Sequence, residues 1–514
     1  MPRSLKSSVD YRWQTLDFYA QDDYKITSRL TLNYGLRSSL FIPMDERDNI
    51  YSAVDLKKPN PAAGNLLGTY IFAGVDGQSK RLDPVKNSVN RLAPRVGLAW
   101  KLSNRVVVRS GYGMSFFPTG AFGSGNNVFL TDGYDPTSAV ATSDNGLSPG
   151  MTFAGGFPKD KILTRSLTPA YGIGTPFSYW SVYAQEVAQM HSWNLSTQYQ
   201  LGPNLAVDLA YVGTKGTHLS SLENINQLNP SYLSLGSTLL NSRIDAPATV
   251  AAGYKSPWPG FAAALGANAT LAQSLRPYPQ YLSGFGYNSD NNGNSKYHAL
   301  QAKLERRMSA GLYLLMGYTW SKSITDANTT LYSVPGNNPT GSGRVRDQYN
   351  RHLDKSVASA WQPNVLTSAV VYELPFGPGK RWLSAGGIGG RLTGGWRLGG
   401  ILTYRSGALI SVTAPQNLPL FAGPNYATTV LGVEQKGSWS GNFDPAIHRY
   451  LNGAAFTLPA PGTFGTGGQF LPNLRGPKYM NENLSLSKRC PASTTLSAQR
   501  QLFLPEFLMW DWRG

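Results

Sequence analysis

Several of the usual carriers of chemistry are missing from this sequence. Cys490 is its one cysteine, so no disulfide can close within the chain and no cysteine-built zinc site can form. No run approaches the roughly 18 consecutive apolar residues that a membrane-crossing helix needs. That excludes a helical membrane protein but not a barrel, whose strands turn only every second residue to lipid. Charged residues are only 15% of the chain, too few for a helix-rich enzyme. The opening Met1 to Ser8 is polar and lacks an apolar h-region, so no secretory signal peptide is expected in the chain as written. Gly-x-Ser-x-Gly, Walker and dinucleotide fingerprints are all missing, and the glycines at 386, 387, 389 and 390 have no Lys-Ser/Thr or strand-helix context.

What is abundant points one way. The chain has 28 Tyr, 12 Trp, 55 Gly and 34 Pro in 514 residues, a composition suited to many strands joined by polar connections, and an all-β fold is expected. The formal charge is +17, but Lys and Arg are spread along the chain without a run of five or six. A diffuse excess of this kind fits a polar lumen or lipid headgroups, with outer-membrane lipid and lipopolysaccharide as partners, better than it fits nucleic acid, and no nucleic acid partner is expected.

The clearest stretch runs from Lys296 to Ser321. Leu300, Ala302 and Leu304 alternate with Gln301, Lys303 and Glu305; Ser309, Ala310 and Gly311 turn; Leu312, Leu314, Met316, Tyr318 and Trp320 return on one face. A hairpin of a soluble sandwich would look similar. Four more pairs repeat the design, however. Leu16, Phe18 and Ala20 precede Leu30, Leu32, Tyr34 and Leu36; residues 95–102 precede Val106, Val108, Tyr112, Met114 and Phe116. Trp193, Leu195, Thr197, Tyr199 and Leu201 precede Leu205, Val207, Leu209 and Tyr211, and Leu366 to Leu374 pairs with Trp396 to Tyr404 across a glycine-rich connection. A further strand is expected around Leu484 and Leu486. Four of these pairs close in tight turns, whereas the segments 41–92, 118–189, 213–295 and 322–356 between them are long, too long and too polar to be buried connections. Short turns on one rim and long loops on the other are the pattern of an outer-membrane barrel, and a soluble sandwich has no reason for it.

Several stretches carry a resemblance. Phe18-Tyr19-Ala20-Gln21-Asp22-Asp23-Tyr24, with Arg29-Leu30-Thr31-Leu32-Asn33-Tyr34-Gly35-Leu36-Arg37, looks like a strand pair of TonB-dependent outer-membrane receptors. Ala93-Pro94-Arg95-Val96-Gly97, Trp193-Asn194-Leu195-Ser196, Tyr211-Val212-Gly213-Thr214-Lys215-Gly216-Thr217-His218-Leu219, Tyr297-His298-Ala299-Leu300-Gln301, Tyr318-Thr319-Trp320-Ser321-Lys322-Ser323 and Tyr372-Glu373-Leu374-Pro375-Phe376-Gly377 follow in order, and together are similar to the Oar-like branch. The resemblance implies a barrel of about 22 strands, a plug domain through which TonB acts, and uptake or binding of an extracellular ligand such as a siderophore or carbohydrate. About ten to twelve strands are legible, so residues 1–488 are expected to be a partial barrel, the C-terminal part of such a receptor without its plug. Residues 489–514, from Arg489-Cys490-Pro491 to Trp512-Arg513-Gly514, depart from strand periodicity, as a shifted reading frame would. Surface adhesion or secretion-linked work on the same barrel, a non-functional fragment, and a soluble carbohydrate-binding β protein are the rival readings.

No catalytic, cofactor or metal site is expected, and the chain is not expected to be an enzyme. His191, His218, His298, His352 and His448 stand apart with no ligand spacing. Asp290-Asn291-Asn292-Gly293-Asn294 is a faint calcium-loop pattern without the closing bidentate acid. Asp22-Asp23 and Asp45-Glu46 are paired carboxylates that a lumen face or rim explains. Ligand contacts are expected in the long loops, where Tyr and Trp can stack and Asn and Ser can hydrogen-bond.

Overall fold

The structure, a computed structural model, describes residues 3–4, 11–80, 89–117, 131–134, 137–138, 140, 147–149, 151–152, 154–159, 164–179, 187–219, 223–286, 292–327, 345–384, 386–415 and 423–489. Eleven long strands make one antiparallel wall in sequence order: β1 (Tyr11–Thr27), β2 (Leu30–Glu46), β3 (Val89–Lys101), β4 (Val106–Phe117), β5 (Ala188–Gly202), β6 (Leu205–Leu219), β7 (Gly293–Ser309), β8 (Leu312–Thr325), β9 (Asn364–Glu373), β10 (Trp396–Arg405) and β11 (Tyr479–Lys488). The short strand Ser356–Val357 adds to the end of β8. Each wall strand pairs with its sequence neighbour, the up-and-down order of an outer-membrane barrel, and β1 and β11 each have a single neighbour, so the wall does not close. The five expected hairpins and the strand beyond Arg405 are all present. The tail from 490 onward lies outside the described residues.

Cross-strand register fixes the two faces, because directly opposed residues point the same way. One continuous line runs Ser110, Leu195, Tyr211, Leu300, Trp320 across β4 to β8, and the next runs Val108, Thr197, Leu209, Ala302, Tyr318, Leu366, Tyr404. This face carries large apolar side chains left open to the surroundings: Phe18, Leu36, Leu98, Leu195, Leu209, Leu300 and Leu484 are all exposed, and Trp320 is 60% exposed. The other face is wet. There Arg37 pairs with Asp17 at 2.8 Å, Lys303 with Glu305 at 3.0 Å, and Arg109 Nη1 donates to Gln198 Oε1 at 3.2 Å. An uncovered apolar face in water would cost far more than a folded chain can spare, so its solvent is hydrocarbon.

Aromatics edge that face at both ends. Toward the short turns stand Tyr24, Tyr34, Trp100, Tyr199, Tyr372 and Trp396; toward the long connections stand Tyr112, Trp193, Tyr211 and Trp320. Two girdles are what an interface on each side of a bilayer selects. Gly213 serves the upper one. A Cβ there would stand 2.3 Å from the Trp193 indole, so only glycine lets that ring lie flat across the neighbouring strand.

The long connections are where the structure departs from the expectation of solvated loops. All five rise from one rim, and the described parts of them form a packed cap holding the well-buried apolar cores. A hairpin in the first, Ser52–Asn60 with Leu66–Phe72, contributes Val54, Tyr70 and Phe72; the second adds Tyr134 and Phe177; the third adds Tyr281. A second core gathers Ile244, Trp258, Phe261, Leu265 and Leu271 around short helical turns of the third connection, with Ala63 of the first.

Candidate functional site

The cap rises from the rim of long connections, and its polar residues tie one connection to the next. Tyr70 Oη donates to Asp132 Oδ2 at 3.0 Å, linking the first connection to the second. Gln280 Nε2 donates to the carbonyls of Leu67 and Gly68, each at 2.8 Å, linking the third to the first. Gln227 Nε2 donates to Asp347 Oδ1 at 2.6 Å, and Arg351 pairs with Glu223, linking the third to the fourth. Asn226 closes the third on itself: its Nδ2 donates to the carbonyls of Tyr278 and Tyr281, and its Oδ1 accepts from the Tyr278 amide. A loop held in this way at both amide atoms loses its freedom, which is what pre-organises a binding surface.

Arg346 locks the fourth connection to the fifth. It is 1% exposed, and its Nε and backbone N–H donate to the two Asp354 carboxylate oxygens at 3.2 and 3.0 Å. Its Nη1 donates to the carbonyls of Gly465 and Gly467 at 3.1 and 2.9 Å, and its guanidinium lies 4.9 Å from the Tyr426 ring centroid. A buried charge survives only when its donors are used in this way. Burial still pushes the Asp354 carboxyl above the ordinary carboxylate range, with Arg346 pulling it back. Gly465 is required beside this clamp: a Cβ there would lie 1.7 Å from the Tyr426 carbonyl oxygen. Gly465→Ala is expected to destabilise the cap by about 1–3 kcal/mol through overpacking, read as faster amide exchange across 423–429 with the wall strands unchanged.

Asp132 is the second acid that burial raises, with the Tyr70 hydroxyl lowering it less. The sign follows directly. A carboxyl that holds its proton to higher pH in the fold than in the unfolded chain makes stability fall as pH rises from the ordinary aspartate range through the raised value, and the loss is complete above it. Asp132→Asn keeps an acceptor for Tyr70 and removes the charge. It is expected to raise the cap's thermal midpoint at neutral pH and to leave it unchanged at pH 3.

Two cavities lie along this cap and wall. One of about 170 Å³ sits in the cap between Lys58, Thr69, Tyr70, Phe72, Asp76 and Gln78. Another of about 220 Å³ opens on the wet face near the short turns, between Arg105, Gln198, Gln200, Asn204, Glu305 and Arg307. Both are smaller than the usual pocket for a drug-sized ligand. A half-buried aromatic group, Trp439, Phe443, His448 and Tyr450 with Lys436 Nζ 4.7 Å from the Trp439 ring centroid, stands in the fifth connection.

The histidines are dispersed. His191 Nδ1 lies 2.8 Å from Tyr112 Oη and His298 Nδ1 2.8 Å from Tyr211 Oη, so both serve the upper girdle on the apolar face. His218 Nδ1 faces Gln189 Nε2 at 2.8 Å, His448 Nδ1 accepts from the Asp444 amide at 2.9 Å, and His352 sits in the turn Arg351–Asp354. Among the described residues no three His, Cys, Asp or Glu side chains gather as metal ligands. Asp290 and Asn291 lie outside the described residues. Asp22 and Asp23 point to opposite faces, to Tyr34 Oη at 3.0 Å and Asn33 Nδ2 at 2.5 Å. The Glu46 carboxylate accepts the amides of Asp48 and Ile50 at 2.8 Å and so turns the chain from β2 into the cap.

Among solved structures, the chain resembles the outer membrane transporter YddB from Escherichia coli, at 9% identity and TM-score 0.38, covering 92% of this chain and 48% of that one. It also resembles the ferric yersiniabactin uptake receptor FyuA from Yersinia pestis, at 8% identity and TM-score 0.34 over 94% of this chain and 39% of that one. A third is the ferric-catecholate import receptor Fiu from E. coli K12, at 13% identity and TM-score 0.34 over 82% of this chain and 38% of that one. The chain spans less than half the length of each, and the cargo in those names is theirs. No curated protein matches the sequence. A family model described as an outer membrane beta barrel domain matches residues 3–502, and the chain belongs to that family.

Proposed function

We propose that this chain is the barrel part of a TonB-dependent, Oar-like receptor that binds or takes up an extracellular ligand, a siderophore, carbohydrate or similar compound, with TonB acting through a plug domain of the intact receptor. The observation that supports this reading is the organised cap: five connections from one rim, cross-linked by buried amides and the Arg346 clamp, on a wall with one polar face. A structureless fringe would suffice for a passive pore, whereas a receptor needs a fixed surface. Deleting the locus and growing the cells on candidate iron chelates and glycans tests it, with a growth defect on one nutrient class expected. Unchanged growth on all of them with altered cell-to-cell contact would instead support surface adhesion.

A further inference from the structure

The connection between β9 and β10 does not fit the role of a simple turn. It runs 374–395 on the rim of short turns, includes the helix Gly387–Thr393, and exposes Trp382, Leu383, Ile388 and Leu392 at 51%, 61%, 79% and 65%. Leu374, Phe376, Leu383, Leu392, Trp396 and Leu486 line an open apolar pocket of about 340 Å³. This pocket is continuous with the lipid face of the wall, because Leu486 stands opposite Leu398 and Leu398 opposite Tyr372. The connection carrying the pocket is basic. Glu373 is the single carboxylate across 373–397, against Lys380, Arg381, Arg391 and Arg397, and its oxygens are engaged by Arg397 at 2.5 Å and Lys380 at 3.4 Å. Arg381 lies 5.5 Å from the Trp382 ring centroid. Lys488, on the lipid face, lies 5.1 Å from the Trp396 ring centroid and donates to the Leu392 carbonyl at 2.8 Å, leaving two ammonium protons.

We propose that this connection is an interfacial anchor that seats one glycerophospholipid of the periplasmic leaflet, an acyl chain in the apolar pocket and the phosphate against Arg381 and Lys488. An acyl chain is the occupant because the pocket opens onto the surface that hydrocarbon already covers, and an anionic headgroup because Lys488 stands against two pocket-lining residues, Trp396 and Leu392, beside a connection that carries Lys380, Arg381 and Arg391 and no acid. Basic side chains with apolar stems beside Trp are the composition that holds a segment at a headgroup boundary. The inference rests on the barrel reading above, in which the short turns face the periplasm.

Full-length protein purified in mild detergent and titrated with phosphatidylglycerol, with bound lipid counted by native mass spectrometry, tests it. The wild type is expected to retain one phosphatidylglycerol that Leu392→Glu loses, and Arg381→Gln and Lys488→Gln are each expected to weaken retention about fivefold. Each variant is first checked for membrane insertion and heat-modifiable migration in gels. Equal retention by all four proteins would overturn the proposal while leaving the barrel intact, whereas failure of the wild type to fractionate with membranes would overturn the barrel reading itself. A chain ending at Arg489 that gains lipid the full chain lacks would identify the tail as the occupant and would also overturn it.

Discussion

Arg346→Ala is expected to be the most damaging single substitution in the cap, costing about 3–5 kcal/mol at neutral pH. The truncation leaves the Asp354 carboxylate buried without its countercharge and two carbonyls, of Gly465 and Gly467, without their donor. It also removes the guanidinium from the Tyr426 ring. Hydrogen exchange should show the fourth and fifth connections opening together while the wall keeps its protection, since β8 to β11 hold their own ladders. The damage has a pH signature. Burial already raises the Asp354 carboxyl, and without Arg346 it rises further, so the stranded group can escape by taking up a proton. The deficit should therefore shrink as pH falls toward the ordinary Asp range. Arg346→Met with Asp354→Leu, which removes both charges and keeps the volume, is expected to recover most of the loss; no recovery would show that the carbonyl contacts and not the ion pair dominate.

The wall was legible in the sequence because two solvents act on it. Lipid on one side and water on the other force the alternation of Leu209 with Ala210, Leu300 with Gln301 and Leu304 with Glu305, and strict alternation is readable in a single sequence. Strand ends were less legible. β5 begins at Ala188, ahead of the Trp193 at which alternation becomes clear, because above the girdle neither face needs to be greasy. The cap was not legible at all. Its main core draws Val54, Tyr70 and Phe72 from the first connection, Tyr134 and Phe177 from the second and Tyr281 from the third, with no period, and its locking groups Asn226, Gln227 and Gln280 are types that belong to solvated loops unless their partners are known. Arg346 carries no sequence signal that sets it apart from the other basic residues. The buried clamp is a property of chain segments more than a hundred residues apart meeting, as Arg346 meets Gly467 across a separation of 121.

The second large effect separates the two faces of the wall at adjacent positions. Leu209 stands mid-strand on the apolar face, opposite Thr197 and Ala302, whereas Ala210 faces the wet side, opposite Ser196 and Gln301 and two residues from Asp208. Leu209→Arg is expected to cost about 1–3 kcal/mol in lipid, because its guanidinium meets hydrocarbon on the row between Tyr199 of one aromatic girdle and Tyr211 of the other. Ala210→Arg puts the same group into a polar lumen beside a carboxylate and is expected to change stability by under about 1 kcal/mol. Urea unfolding in phospholipid bilayers, followed by tryptophan emission and by gel mobility without boiling, measures both. In detergent-free water the comparison should reverse in sense, since Leu209→Arg then relieves an exposed apolar surface and slows aggregation. Equal costs at the two positions in lipid would mean that the apolar face is covered by protein and not by hydrocarbon, and the membrane assignment of this wall would fail with it.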